Sequence, residues 1–502
     1  MQAYWMALDL GTSSLKIVCS DPDGKVLHTA TQACHTYHPQ PGWEEQHPEA
    51  LLEGVQILLT DAVTRLGQPQ AISLSAAMHS LMAVDEQGMP QSELLIWSDL
   101  RSSQEAKWLK QRIGEKVYAH SGVPIHPMLP LCKLVYWKNN LPAWFQRVAW
   151  FISLKEYILF HLTGQMKADY AMAGATGMFN LLERDWDKEV LQLIDLDPSR
   201  LPEISSPLQA CFTHGHQRLT RASGLASGIP VLVGATDGCL AALGSGIEDS
   251  QHLSVTVGTS AAVRLWSHRP VWDHQQRLFC YMLFPEAYVV GAALNNGGGI
   301  IPRCMEMMDD RESDVEAWIA KAMQAPPGSD GLMCLPYLYG ERSPVWDPEA
   351  SGAFLGLRAH HQACHVHRAI LEGIGFCLMQ ALRILETAVH LSDQKAKSGD
   401  IILSGGITHS QPWMQLLANM LGRKLVVRQQ VDASCAGALQ LLARYFHRKP
   451  LKITRASAME EEKLILPDAQ AALQYAGLLP QFEALYPLVK SWQEIATTKP
   501  RK

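Results

Sequence analysis

Two segments of the chain end alike. Residues 6–16 read MALDLGTSSLK and residues 254–262 read SVTVGTSAA, each a short β-prone run closed by Gly-Thr-Ser. Glycine allows a tight turn with exposed backbone N–H groups, and the hydroxyl side chains add donors at the same spot, so each turn is able to cradle an oxyanion such as phosphate. Gly11 and Gly258 stand about half the chain apart. A duplicated phosphate turn, one in each of two lobes facing a cleft, explains this better than chance repetition of a common hairpin turn. Two carboxylates accompany the turns. Asp9 lies just before the first and is placed to orient Mg²⁺ with its waters, because that ion takes only one or two carboxylates; a turn-stabilising aspartate is the plain alternative. Asp237 ends the buried-strand run at residues 228–236 among small neighbours, where partial desolvation suits a general base. Capping of the following helix is its structural alternative.

Other ways of holding phosphate or doing common chemistry are missing. There is no GxxxxGK[ST], no strand-borne GxGxxG, no HExxH and no GxSxG, which leaves the glycine-hydroxyl turns at 11–14, 258–260 and 405–410. A chain of 502 residues exceeds one hydrophobic core and predicts two or three domains. Its 47% hydrophobic and 18% charged residues describe a globular protein, and a net charge of −6 argues against a general nucleic-acid or membrane-surface binder, so small molecules are the expected partners. A homodimer is left open. The 11 cysteines form no CxxC pair and read as reduced thiols without a metal site. With no basic leader before the first motif and no run approaching the roughly eighteen apolar residues of a membrane span, a cytoplasmic protein is expected.

Strand-like and helix-like signals alternate, which predicts an α/β architecture. Residues 6–10, 15–20 and 26–30 read as a β-meander, extended by 72–75 and 82–85. Helical spacing marks 48–66, 148–162 and 365–389. The lobe boundary is expected within 244–250, dividing 1–245 from 246–502, and 499–502 reads as a frayed tail.

These motifs, in this order, resemble over nearly the whole chain the FGGY carbohydrate kinases, relatives of actin, hexokinase and the Hsp70 ATPase domain. The resemblance rests on DLGTSSLK, AAMHS at 76–80, WSDLRS at 97–102, GATDG at 234–238, TVGTS at 256–260, GAFLGL at 352–357 followed by HVHRAILEG at 365–373, and LSGGITHS at 403–410. Residues 128–137 depart from the family's first signature, with the tryptophan one place late. The resemblance implies a two-lobed, actin-like and ribonuclease-H-like ATPase fold with a duplicated core and an interlobe cleft. It further implies sugar and catalytic base in the first lobe, nucleotide in the second, and ATP with Mg²⁺. Residues 76–85, the IHPM block at 125–128, 177–181, 294–300 and 335–348 look most like bacterial gluconate kinases, which implies conversion of D-gluconate to 6-phospho-D-gluconate. Xylulokinases and other pentulose kinases are the runner-up, and a non-catalytic sugar or nucleotide sensor on the same fold is the alternative of another class.

Carried onto this sequence, the resemblance makes Asp237 the catalytic base and Asp9 the Mg²⁺ residue, and sets Thr12, Ser13 and Lys16 against the phosphates. It places Gly258, Thr259 and Ser260 at the β-phosphate, Asn296, Gly298, Gly405 and Gly406 around adenosine, and His409 and Ser410 at the purine edge. For the sugar acid, Met78, His79, Trp97, Asp99, Arg101, His126 and Lys133 are the candidates, with Arg101 as a bidentate carboxylate clamp. Taken singly, each of these reads equally well as packed core. Residues 340–342 and Trp346 have no derivable role.

Overall fold

The strand Trp5–Leu10 is buried along its whole length, as a run apolar on both faces must be at the centre of a sheet. It pairs antiparallel with Ser14–Ser20 across the first Gly-Thr-Ser turn and parallel with Ala71–Ala76. The computed structural model describes residues 3–247, 252–310, 314–392, 399–428, 432–451, 453 and 462–497. The expected boundary at 244–250 therefore lies partly outside the described residues, and the expected tail at 499–502 wholly so.

The first lobe is a six-stranded sheet in the order Ala210–Phe212, Pro230–Thr236, Ala71–Ala76, Trp5–Leu10, Ser14–Ser20, Val26–Ala33. The second holds seven strands, Phe279–Phe284, Ala287–Leu294, Ala261–Ser267, Leu253–Val257, Ile401–Ser404, Leu425–Val427, Lys463–Ile465. Each contains the same unit, in which three antiparallel strands, the first two joined by a Gly-Thr-Ser turn, are continued by two parallel ones. That is the duplicated core of the two-lobed actin-like ATPase fold. Helices cover the sheets where parallel strands need crossovers. Pro48–Leu66 starts on a proline, ends at Gly67 with φ 85° and buries Leu51, Leu52, Val55, Leu58, Leu59 and Ala62, a 3.6-residue stripe. Among the described residues no helix is long and apolar enough to cross a membrane.

Three expectations need correction. The strand Ala71–Ala76 does not extend the meander but joins it in parallel. Met82–Val84 leaves the main sheet and pairs with Trp150–Ile152. Residues 148–162 are not one helix, because Ser153 divides them into that strand and the helix Leu154–Thr163, forming a capping box with Glu156. Ser-x-x-Glu is a helix start, and the apolar residues before it are free to pair as a strand.

The lobes meet where the helix Asp237–Gly244 crosses the helix Ala433–Tyr445. A Cβ on Gly437 would lie 2.0 Å from the Leu240 carbonyl oxygen, and one on Gly244 would lie 2.1 Å from that of Ala433. The two backbones touch directly, which only glycine at both positions permits. Gly437→Val is expected to destabilise the protein by about 1–3 kcal/mol or more through overpacking against backbone and to lower kcat, because the displaced helix carries Asp237. Chemical denaturation and steady-state assays check this, and unchanged values for both would show that the crossing yields freely.

Candidate active site

The sequence GATDG brings a carboxylate into the cleft by a local irregularity. Gly234 has φ 70°, and a Cβ there would lie 1.7 Å from the Leu74 carbonyl oxygen. The register with Ala71–Ala76 shifts between Leu232 and Ala235, a bulge that re-aims the strand end. Thr236, not Asp237, is the residue that caps the next helix, its hydroxyl accepting from the Cys239 N–H at 3.4 Å. Asp237 is left facing a cavity of about 170 Å³ that also includes Thr12 from the first turn and Ser260 from the second. This is room for a small polyol rather than a nucleotide. Burial raises the Asp237 pKa, and the nearby Arg264 guanidinium draws it back.

Met78, His79 and Trp97 line the same cavity. His79 has φ 69°, a strained conformation for a residue with a side chain, and is pinned on three sides. Its Nδ1 bonds the Ala175 carbonyl at 2.7 Å, its Nε2 faces the Tyr281 hydroxyl at 3.4 Å, and its own carbonyl accepts from Lys133 Nζ at 2.8 Å. Burial pushes the imidazole down to about 3. It is therefore neutral, and the carbonyl bond assigns the proton to Nδ1 and leaves Nε2 as an acceptor for a hydroxyl.

Several residues expected at the ligand do other work. Arg101 is committed to Asp99 in a fork at 2.8–3.0 Å and to Glu45 at 2.7 Å, and lies over the Trp43 ring at 3.9 Å. Asp99 also accepts the Glu44 N–H at 2.8 Å. Their charges are mutually satisfied, and neither lines the Asp237 cavity. Lys133 is fully buried and ties together the loops of His79 and Trp97 by donating to the His79 and Ile96 carbonyls at 2.8 and 2.7 Å. His126 lines a second cavity, which shares only Trp346 with the first, and packs on that ring at 5.8 Å. Asn296 is fully buried and braces the loop at 339–341 through Tyr339, Gly340 and Glu341. Ser410 is buried and donates to Glu316 at 3.2 Å.

Each Gly-Thr-Ser turn joins the first two strands of its sheet. Thr12, Ser13, Thr259 and Ser260 are all exposed or partly so. Gly297, Gly298 and Gly299 donate N–H groups to the Gly258 and Thr259 carbonyls at 2.7–3.2 Å, so Gly298 shapes the second turn from behind. Gly405, with φ 93° and its absent Cβ 2.4 Å from the Val257 carbonyl oxygen, packs against the strand leading into that turn. Gly405, Gly406 and His409 are exposed, and Gly406 faces open space.

Between the turns lies a site that fits a hard cation. Asp9 accepts from the Ser75 hydroxyl at 2.6 Å, and one ligand atom each of Asp9, Asp432 and Cys435 fall within 4.8 Å of one another. Burial, then Asp432 and Asp237, push the Asp9 carboxyl up to about 7. Burial holds the Cys435 thiol well above its usual range, so the two carboxylates are the donors suited to Mg²⁺. Lys16 pairs with Asp432 at 2.5 Å across the lobes instead of standing free.

Three residues escaped the sequence reading. Arg264 and Arg342 line the Asp237 cavity, and no spacing rule marks an arginine on a strand or after a glutamate as a site residue. Asp432 carries a signal, as an N-cap before Ala433–Tyr445, but its approach to Asp9 and Lys16 is purely tertiary.

Asp237→Asn should keep ligand binding and lower kcat by roughly 10²- to 10⁴-fold, the weight of a positioned base; pre-steady-state and binding measurements on the purified variant check it. Lys133 supplies a pH test. Burial pulls its ammonium down to about 7 from 10.5, so between these values the folded state holds a neutral amine and the unfolded state a charged one. The resulting stabilisation is present above the unfolded value and is lost as pH falls to about 7. In denaturant melts the advantage of wild type over Lys133→Met should grow from about pH 7 to pH 9.5 by up to about 1.4 kcal/mol per pH unit. A pH-independent difference would mean that the amine stays charged.

With this geometry the comparisons agree. The chain matches the FGGY family of carbohydrate kinases, N-terminal domain, over residues 4–244 and the C-terminal domain of the same family over 253–445. It is 31% identical to a gluconokinase of Bacillus subtilis (strain 168) over 98% of this chain and 97% of that one. The fold superposes on the gluconate kinase from Lactobacillus acidophilus with a TM-score of 0.91, 29% identity and coverage of 99% and 100%. It superposes on the ligand-bound xylulose kinase from Lactobacillus acidophilus with a TM-score of 0.89, 29% identity and coverage of 97% and 98%. The chain belongs to the FGGY family of carbohydrate kinases and is a sugar phosphotransferase.

Proposed function

We propose that this kinase phosphorylates D-gluconate with ATP, giving 6-phospho-D-gluconate. The observation that carries the acid over a neutral sugar is the charge of the Asp237 cavity. Arg264 and Arg342 both face it, and among the described residues neither forms an ion pair. Two partly buried cations facing one carboxylate gain when an anion joins them, and a sugar acid supplies that anion. The gluconokinase relative at 31% identity supports the same reading.

Asp237 takes the proton from the acceptor hydroxyl as phosphate is transferred. Thr12 and Ser13 from one lobe and Thr259 and Ser260 from the other offer hydroxyl donors to the phosphate chain, while exposed Gly405 and Gly406 leave room for the nucleoside. Asp9 and Asp432 would hold Mg²⁺, which neutralises phosphate charge when bound. Met78 and Trp97 give apolar walls to the carbon chain, and His79 completes that wall. A coupled ADP-release assay across gluconate, xylulose, ribulose and glycerol tests the reading. The highest kcat/KM is expected for gluconate; preference for xylulose would replace it with a pentulose kinase.

A further inference from the structure

We infer that Arg264 is the residue that reads the carboxylate of the acceptor, the role that Arg101 is too committed to fill. This rests on the sugar-acid reading above. The two arginines of the cavity differ in what they have left to give. Arg342 donates from Nε to Asn295 Oδ1 at 2.7 Å and from Nη2 to the Leu294 carbonyl at 3.2 Å, and lies over the Trp97 ring at 5.0 Å. Its plane is set by the protein. Arg264 makes one hydrogen bond among the described residues, from Nη1 to Thr256 Oγ1 at 3.2 Å.

A guanidinium carries five N–H donors in a fork that matches a carboxylate. Arg264 therefore brings most of its donors, and a full charge, unmet to the cavity wall. Its position is fixed from below, since Thr256 in turn bonds Ser404 at 3.0 Å and Arg264 stands in the strand Ala261–Ser267 between neighbours on both sides. The carboxylate that acts on it most strongly is Asp237, and the two form no ion pair. A carboxylate arriving here gains a bidentate, charge-assisted pair in a place that water shares poorly, whereas a hydroxymethyl group leaves the cation as it was.

The test compares D-gluconate with D-glucitol, which has a hydroxymethyl group where gluconate has its carboxylate. Wild type, Arg264→Met and Arg264→Lys are measured by calorimetric binding of each compound, by ADP release, and by thermal melts. Arg264→Met should lose roughly 30-fold or more in affinity and kcat/KM for gluconate, the loss typical of truncating one partner of a buried charge pair, while its glucitol affinity stays within about threefold; the lysine variant should recover part of the difference. Should the methionine variant fail to fold, the lysine variant carries the same comparison, because a point charge lacks the fork. Equal losses for both compounds with melting preserved would overturn the inference and assign Arg264 to the transferred phosphoryl group or to Asp237. Wild type binding glucitol as tightly as gluconate would also overturn it. Wild type that turns over neutral ketoses and no sugar acid would instead overturn the gluconate reading, an outcome visible without any variant.

Discussion

The crossing of Asp237–Gly244 with Ala433–Tyr445 is the constraint on which the site depends. Backbone touches backbone at Gly244 and Gly437, so the two helices have no side-chain layer between them in which to slide. The first helix begins with Asp237 and the second is capped by Asp432. Pressing the helices together therefore brings a carboxylate from each lobe toward Asp9 on the central strand. The Lys16–Asp432 pair and the stacking of Trp5 on Phe446 at 5.2 Å join the lobes at the two ends of the second helix. Burial first, then the charges of Asp432 and Asp237, raises the Asp9 pKa.

Positive charge around the cleft is used in two ways that look alike in sequence. Arg101 and Lys133 are structural. One satisfies Asp99 and Glu45, and the other holds two loop carbonyls with an amine whose pKa burial lowers to about 7. Both hold loops that shape the cavity. Arg264 and Arg342 come from the second lobe, and their charges meet no carboxylate within ion-pair distance among the described residues. An arginine's function here follows from what its neighbours leave unsatisfied, which no residue type announces.

The backbone does comparable work at the phosphate turns. Gly234 and Gly405 are both left-handed and both press on the carbonyl of a neighbouring strand, so the strand ends on the cleft face are bent by the same device in each lobe. The Gly297–Gly299 run then clasps the second turn from behind. Thr12 from the first turn and Ser260 from the second line the Asp237 cavity, and Ser13 and Thr259 stand exposed beside them.

Features set by near neighbours were legible in the sequence. The Gly-Thr-Ser turns, the helix Pro48–Leu66 and the strand ending at Asp237 among small neighbours follow from φ preferences and apolar period, and repetition of the turn half a chain apart gave the duplicated core. Pairing of Met82–Val84 with Trp150–Ile152 was not legible, since a three-residue apolar strand carries no record of its partner. Nor was the choice among cationic side chains. Arg101 lies two residues from Asp99 and was always able to be claimed by it, but only the folded chain adds Glu45 and Trp43 and closes the matter, and only the closure of two lobes sets Arg264 and Arg342 opposite Asp237. Local sequence determined which groups stand at strand ends; the tertiary structure decided which of them have their charge and hydrogen bonds already spent, because that depends on neighbours far away in the chain.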